Sequence, residues 1–358
     1  MKMELSSERY RAVPIQIIGM EDGLLLKRGL VELRVRGEGA VAVQHLLEAT
    51  PGEGRTLEEL RTPFPENVRP NVDRLLEHLI RRRFLVPVMD GGQTPEETES
   101  ATDIFYWHFG EQREQHLDDR RLLLIGVNSI SRRLAASLHA SGLRSVEVRD
   151  YPLLRNLRLF DEQGALRPGA WPSELEAPVP HTGGVEAIDP QGFDCLVATS
   201  DFGGMQLLRA WNEFCVLHKR PFLPVVLQDM VGYVGPLVMP GETACYECFR
   251  LRRNTHVADP QSRHLIESAA FQGQATVGFL PPMASMLGDV AAVELLKLFT
   301  LAPPLWRVGT VLEVNLMAPD LSARAVLKLP RCPVCTPLAE RPSMVAVRSG
   351  TVRPGGSA

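Results

Sequence analysis

Arg121-Leu122-Leu123-Leu124-Ile125-Gly126 reads as a buried strand running into a turn. Outward from it the chain alternates. Ser131 to Ser141 has helical character, and Val146-Glu147-Val148-Arg149-Asp150 is a second strand that ends in an acid. Phe193-Asp194-Cys195-Leu196-Val197-Ala198 and Phe222-Leu223-Pro224-Val225-Val226 are further strands, with a helix from Met205 to His218 between them. Strand alternating with helix predicts an α/β domain built on a parallel, doubly wound sheet. A long helix is expected from about Met286 to Phe299. Cys195 and Cys215 lie in apolar surroundings and read as core residues.

The front of the chain has a different grammar. Pro14 to Ile18, Gly23 to Gly29 and Val31 to Arg36 read as three strands, the last alternating apolar and charged residues at period two. Val41 to Ala49 is a short helix, and Thr56 is a helix N-cap candidate. From Val68 to Arg83, residues Val72, Leu75, Leu76, Leu79 and Ile80 recur at helical spacing. Phe84 to Val88 reads as a closing strand. Three strands, three helices and a closing strand predict a winged-helix domain over residues 1–90. Residues 91–104 are polar and read as a linker. The aromatic cluster Phe105, Tyr106, Trp107 and Phe109 is expected on a helix docked to the second domain, which runs over 105–340. Residues 341–358 form a tail rich in Gly, Pro, Arg and Ser and are expected to be disordered.

With 358 residues, two domains are expected. Hydrophobic residues make up 44%, enough to bury a core. A net charge of −4 argues against nucleic-acid binding through bulk electrostatics. No apolar run is long enough to span a bilayer. Met1 to Arg11 has no apolar signal-peptide core. The expected compartment is therefore the cytoplasm.

The strongest chemical signal is a pair of C-x-x-C turns, Cys245-Tyr246-Glu247-Cys248 and Cys332-Pro333-Val334-Cys335. Each turn places two thiolates on one side of a tetrahedral metal, and two turns close the shell without leaving a position for water. Cys245, Cys248, Cys332 and Cys335 are thus predicted to hold a structural Zn²⁺. A redox role would suit a single such motif in its own βαβ unit better than two paired ones.

Pro240-Gly241-Glu242-Thr243-Ala244-Cys245-Tyr246-Glu247-Cys248 resembles the Pro-Gly-x-x-x-Cys-x-x-Cys segment of ThiF/MoeB-type proteins, relatives of ubiquitin-activating enzymes. Ala291-Ala292-Val293-Glu294-Leu295-Leu296-Lys297 is similar to that family's Ala-x-x-Ala-x-Glu-x-Leu-Lys helix. The resemblance covers roughly 105–336 and implies a Rossmann-like ThiF fold. Such enzymes adenylate a carboxylate and need a Gly-rich turn whose N–H groups approach phosphates. Here the turn is Gly126-Val127-Asn128-Ser129-Ile130-Ser131, with only its first glycine kept. Asn156-Leu157-Arg158-Leu159 keeps part of a further family stretch, and no lysine occurs between Lys27 and Lys219. Gly126, Asp150, Asn156, Arg158 and Asp201 therefore read as a vestigial nucleotide site, with ATP not bound and no catalytic residue.

A winged-helix domain ahead of a ThiF-like one resembles proteins that modify ribosomally made peptides (RiPPs). There the front domain, the RiPP recognition element, captures a leader peptide as an added strand clasped by the third helix. By position the strand offers Val31, Leu33 and Val35, and the helix offers Val72, Arg74, Leu75, Leu79, Arg81 and Arg82. Apolar pockets beside basic residues suit an acidic, amphipathic leader. For much of the helix face, a plain core role is the competing reading. The resemblance implies a non-catalytic partner of the ocin-ThiF type. It would bind a precursor and present it to a YcaO-type cyclodehydratase for azoline or azole formation, as in thiopeptides. The alternative is an active peptide-adenylating enzyme of the microcin type. A sulfur-carrier activator would have no use for the front domain. A homodimer is a further expectation from the family.

Overall fold

The computed structural model describes residues 8–50, 53–88, 101–109, 117–255, 278–300, 308–318 and 320–336, with a few isolated positions between 259 and 266. The expected linker core and the tail at 341–358 lie outside these residues. The chain divides into two compact units, one of Met1–Asp118 with Lys297–Leu305 and one of Asp119–Leu296 with Trp306–Ala358.

In the first unit, β1 (Arg9–Ala12) is followed by β2 (Gln16–Met20), β3 (Gly23–Arg28) and β4 (Val31–Arg36). Strands β2-β3-β4 form one antiparallel sheet with Leu33 opposite Leu26, and β4 is its edge. Then come α1 (Glu38–Glu48), β5 (Arg55–Thr56), α2 (Leu57–Arg61), α3 (Arg69–Arg81) and β6 (Leu85–Pro87). Thr56 caps α2 as expected, in a reciprocal capping box with Glu59. The expected closing strand is present as β6. It pairs with β1, a strand that its two arginines hide from a reading of hydrophobic pattern.

Leu26, Leu46, Leu60, Leu76, Leu79 and Phe84 form the centre of this unit's core. Helix α3 stops in a Schellman turn: Phe84 N–H donates to Leu79 O and Arg83 N–H to Ile80 O, both at 2.8 Å. Arg83 takes the left-handed position, φ 57°, where glycine is usual. The aromatic helix α4 (Ala101–Phe109) belongs to this unit and not, as expected, to the second one. Its Trp107 ring lies 4.4 Å from the Arg11 guanidinium, and Arg28 donates to His108 O. Basic groups on β1 and β3 hold the helix by a cation–π contact and a charge-assisted hydrogen bond.

The second unit is built on one eight-stranded sheet. Its strands are β7 (Leu122–Ile125), β8 (Val146–Asp150), β9 (Val179–Pro180), β10 (Cys195–Ser200), β11 (Phe222–Gln228), β12 (Val231–Val234), β13 (Thr310–Asn315) and β14 (Asp320–Ala325). The order is β14-β13-β12-β11-β10-β7-β8-β9. From β9 to β11 neighbours are parallel, and from β11 to β14 antiparallel. The sheet is therefore α/β but mixed, which extends the expected all-parallel reading.

Helix α5 (Ser129–Ala140) crosses from β7 to β8, and α6 (Arg209–Leu217) from β10 to β11. The passage from β8 to β10 contains 3₁₀ turns and the two-residue β9, but no α-helix. Prolines recur along it, at Pro152, Pro168, Pro172, Pro178 and Pro190, and proline interrupts helical hydrogen bonding. Among the described residues the chain also forms α7 (Tyr246–Asn254) and α8 (Pro281–Thr300), the latter within this unit as far as Leu296. Gly288 lets α8 approach α5 closely, since a Cβ there would lie 3.0 Å from Ile130 O. Asp289 then accepts from Arg133 Nε at 2.8 Å and Ser137 Oγ at 2.5 Å.

Arg83→Gly should stabilise the chain by up to about 1 kcal/mol, because glycine removes the Cβ penalty of the left-handed position. The urea midpoint checks this. A lower midpoint would show that the arginine side chain contributes more than its backbone strain costs.

Candidate functional site

In open α/β sheets, ligands bind beyond the carboxyl ends of the strands, where strand order reverses. Here that point lies where β7 is flanked by β10 on one side and β8 on the other. It collects the turn after β7, Asp150 at the end of β8 and Asp201 after β10.

Each group at this point already has an internal partner. Asn128 is the buried N-cap of α5. Its Oδ1 accepts the N–H groups of Ile130 (3.1 Å) and Ser131 (3.0 Å), and Ser131 Oγ accepts the Asn128 N–H at 2.9 Å. Asp201 Oδ2 accepts the Ser129 N–H at 2.8 Å and Asn156 Nδ2 at 2.8 Å. The first three N–H groups of α5 are thus occupied by side chains. These are the donors a helix start would offer a phosphate.

Gly126 has φ +100°, and a Cβ there would meet Leu154 Cβ and Thr199 O at 2.9 Å each. The space above it is filled by the chain itself. Asp150 receives both arms of Arg155, Nε to Oδ1 and Nη2 to Oδ2 at 2.6 Å each. This pairing raises the Arg155 pKa, the hydrogen bond to Asp150 being the main cause. Asp201 is pushed up by burial, against the pull of its hydrogen bonds from Asn156 and Ser129, and its Oδ1 has no partner among the described residues. Arg158 is exposed and its N–H donates to Asn156 Oδ1. The structure therefore bonds Asn156 to Asp201, sets Gly126 against Leu154 and Thr199, and gives Asp150 to Arg155. The roles of Asn128, Ser131 and Thr199 were not read from sequence, although Asn-x-x-Ser ahead of an apolar run is itself a capping-box pattern.

The second constellation is the four-cysteine cluster. All four Sγ atoms lie within 4.8 Å of one another. Cys245 is 3.9 Å from Cys248 and 3.6 Å from Cys332, and Cys248 is 3.5 Å from Cys335. A Zn–S bond near 2.3 Å in tetrahedral geometry separates sulfurs by about 3.8 Å, so the donor set fits such an ion. These distances are far beyond a disulfide bond. The four cysteines could hold a metal ion such as zinc. The thiols do not ionise evenly: hydrogen bonds from Cys245 and Cys248 hold Cys335 well below the usual thiol range, and the complementary interactions push Cys245 up. A divalent cation at the centre would remove that conflict.

Cys245 is the N-cap of α7 without a capping side-chain bond. The N–H of Tyr246 is instead taken by Asn212 Oδ1 on α6, at 3.0 Å. Between Cys245 and Cys248, Glu247 is buried and accepts both arms of Arg250, at 2.7 and 2.8 Å. Asn212 and Arg250 sit outside any motif, so only the fold reveals their place.

Of the residues assigned by sequence to peptide capture, Val31, Leu33 and Val35 are half-buried and pack on the core of the first unit. Val72 and Leu79 are fully buried within that core, and Leu75 is half-buried. Arg74, Arg81 and Arg82 are exposed, with Arg74 Nη2 bonded to Asn71 Oδ1 at 2.6 Å. The competing core reading describes Val72 and Leu79, leaving Leu75 and the arginines accessible.

Residues 174–334 match the ThiF family. No curated protein matches the sequence. Among solved structures, E. coli MccB with selenomethionine MccA is 18% identical with a TM-score of 0.62, covering 91% of this chain and 99% of that one. The heterocyclase TruD is 19% identical with a TM-score of 0.60, covering 92% of this chain. A heterocyclase in complex with substrate and cofactor is 17% identical, with a TM-score of 0.56 and 92% of this chain covered. The chain spans 43% of TruD's length and 40% of the latter heterocyclase's. The class these likenesses define is the ThiF-type α/β fold. No helix among the described residues is long and apolar enough to cross a membrane.

Purified chain should carry about one zinc per molecule, measured by elemental mass spectrometry. Cys332→Ser should lose the metal and destabilise the second unit, because structural zinc supplies folding free energy. Well-folded wild-type protein without metal, and with four freely reactive thiols, would contradict this.

Proposed function

We propose that this chain is a leader-binding, non-adenylating partner in the modification of a ribosomally made peptide. It binds the precursor's leader and presents the Cys, Ser or Thr residues of its core to a YcaO-type cyclodehydratase. The first unit acts as a winged-helix recognition element, and the zinc-stabilised ThiF-type unit as the scaffold.

The observation that carries the non-catalytic half of this reading is the closed start of α5. Nucleotide would have to displace Asn128 and Asp201 from three backbone N–H groups and separate Arg155 from Asp150. Each loss strands a buried polar group, which costs on the order of 1–3 kcal/mol. The leader-binding half is supported by β4. It is a sheet edge whose outward residues Glu32, Arg34 and Arg36 are exposed, with the accessible arginines of α3 available to an acidic peptide. A strand added there would gain main-chain hydrogen bonds, with side-chain pockets giving specificity.

The likeness to MccB keeps a second reading in view, an ATP-dependent peptide-adenylating enzyme of the microcin type. ATP–pyrophosphate exchange separates the two. The full chain with its precursor should show none, and exchange that disappears in Asp201→Asn would establish the adenylating enzyme instead.

Leader binding is checked by fluorescence anisotropy. Charge reversal at Arg74 or Arg81 should weaken binding and flatten its salt dependence, since an exposed cation is lost from the contact. The melting temperature should stay unchanged. Equal affinity in wild type and both variants would remove α3 from the peptide site.

A further inference from the structure

The two halves of the four-cysteine cluster come from different places in the second unit. Cys245 and Cys248 stand at the start of α7, whereas Cys332 and Cys335 follow a strap, residues 326–331, that leaves the end of β14. The strap runs over the surface. Leu327, Lys328, Pro330 and Arg331 are exposed, and within the strap Val326 and Leu329 are the residues that pack against the core. Two half-buried side chains bury little apolar area to set against the entropy of ordering six residues.

Two cations supply further ties. Arg252 lies four residues after Cys248 on α7, so the two side chains share one face of the helix. Arg252 Nε donates to Leu327 O at 2.9 Å, and its Nη2 donates to Lys328 O at 3.3 Å. A guanidinium holds its donors in a rigid fork, which here spans two successive carbonyls. Lys328 reaches the other way. Its Nζ donates at 2.6 Å to Gly241 O, in the turn that leads into Cys245. Thr243 Oγ1 closes that turn by accepting the Met239 N–H at 2.9 Å. The strap is thus tied both to the helix that carries Cys248 and to the turn that precedes Cys245.

The next residue links this bracing to the cysteines. Leu329 N–H donates to Cys248 Sγ at 3.4 Å, and Leu329 O accepts the Cys332 N–H at 3.1 Å. One residue therefore touches a cysteine of each pair. An N–H aimed at a thiolate stabilises its charge and fixes its direction, as outer partners do at metal sites.

We propose that Arg252 and Lys328 are positioning residues of the four-cysteine site. They brace the strap against α7 and the Gly241 turn, and so present Cys332 and Cys335 to Cys245 and Cys248 ahead of any ion. The second pair is then held at high effective concentration beside the first, which slows the release of a bound ion. The proposal rests on the assignment of a metal to these cysteines, and not on what the first unit binds.

Cobalt serves as the probe, because Co²⁺ bound by four thiolates absorbs visible light. The full chain is loaded with Co²⁺, and its release to excess chelator is followed by the loss of that absorption. Arg252→Ala should release cobalt roughly tenfold faster than wild type, the usual scale for an outer partner of a metal site. Lys328→Met should have a smaller effect, since it removes one hydrogen bond. Arg252→Lys should recover only part of the loss, because an ammonium keeps the charge but not the fork. In Arg252→Ala the sulfur-to-cobalt charge-transfer band should also move to longer wavelength as Cys248 loses its N–H partner, a change that general destabilisation would not produce. Both cations lie at the surface, so neither substitution opens a cavity in the core. Cobalt that leaves Arg252→Ala and Lys328→Met at the wild-type rate, with an unshifted band, overturns the proposal alone. A wild-type chain that takes up no cobalt overturns it together with the metal assignment.

Discussion

The side chain of Asn128 joins three elements at the centre of the second unit. Its carbonyl oxygen caps α5, and its amide donates to Thr199 O and Thr199 Oγ1 at 2.9 Å each. It also reaches Leu154 O at 3.4 Å. The end of β10, the start of α5 and the segment after β8 therefore share one buried group. Because Gly126 carries no side chain, it can turn tightly beneath it while Leu154 and Thr199 fill the space where a Cβ would otherwise stand. Asp201 then completes the closure from the other side. Most polar groups of this arrangement are satisfied from within, and among the described residues Asp201 Oδ1 and Ser200 Oγ are the buried atoms of the β10 end left without a partner.

Much of this frame was legible in the sequence. Leu122–Ile125 and the first four residues of Cys195–Ser200 are continuous apolar runs, and strands buried on both faces read that way. Val31–Arg36 alternates because only one of its faces meets a core. Both C-x-x-C pairs were visible because metal ligation fixes residue type and spacing together. The β11–β12 hairpin was hidden for a definable reason. Its turn places Asp229 and Met230 at φ 52° and 63°, positions where glycine or asparagine is the usual signal. The closing strand was legible but its partner β1 was not, because pairing depends on long-range register and local pattern carries none of it.

The candidate site divides along the same line. Asp150 and Asp201 could be named as strand-end acids, but what occupies them could not. Arg155 is five residues beyond Asp150 and reaches it only because the crossover begins with a 3₁₀ turn in place of a helix. Likewise the four-cysteine cluster shares its core with Trp211, Tyr246 and Phe222, so its thiols and the sheet's packing form one apolar body. Asn212 joins the two by supplying the hydrogen bond that the Cys245 thiol cannot give to the start of α7.

The spacing of the cysteines also sets an order of events during synthesis. Cys245 and Cys332 are 87 residues apart, as are Cys248 and Cys335. At roughly 5–20 residues per second, translation separates the two halves of the shell by about 4–17 s. Throughout that interval the first pair is an open two-thiolate clamp, able to take up metal but not to enclose it. β13 and β14 emerge within the same interval, so the antiparallel side of the sheet is available before the last two ligands arrive. A metal held by the four cysteines would therefore be enclosed last, after every strand of the sheet has been made.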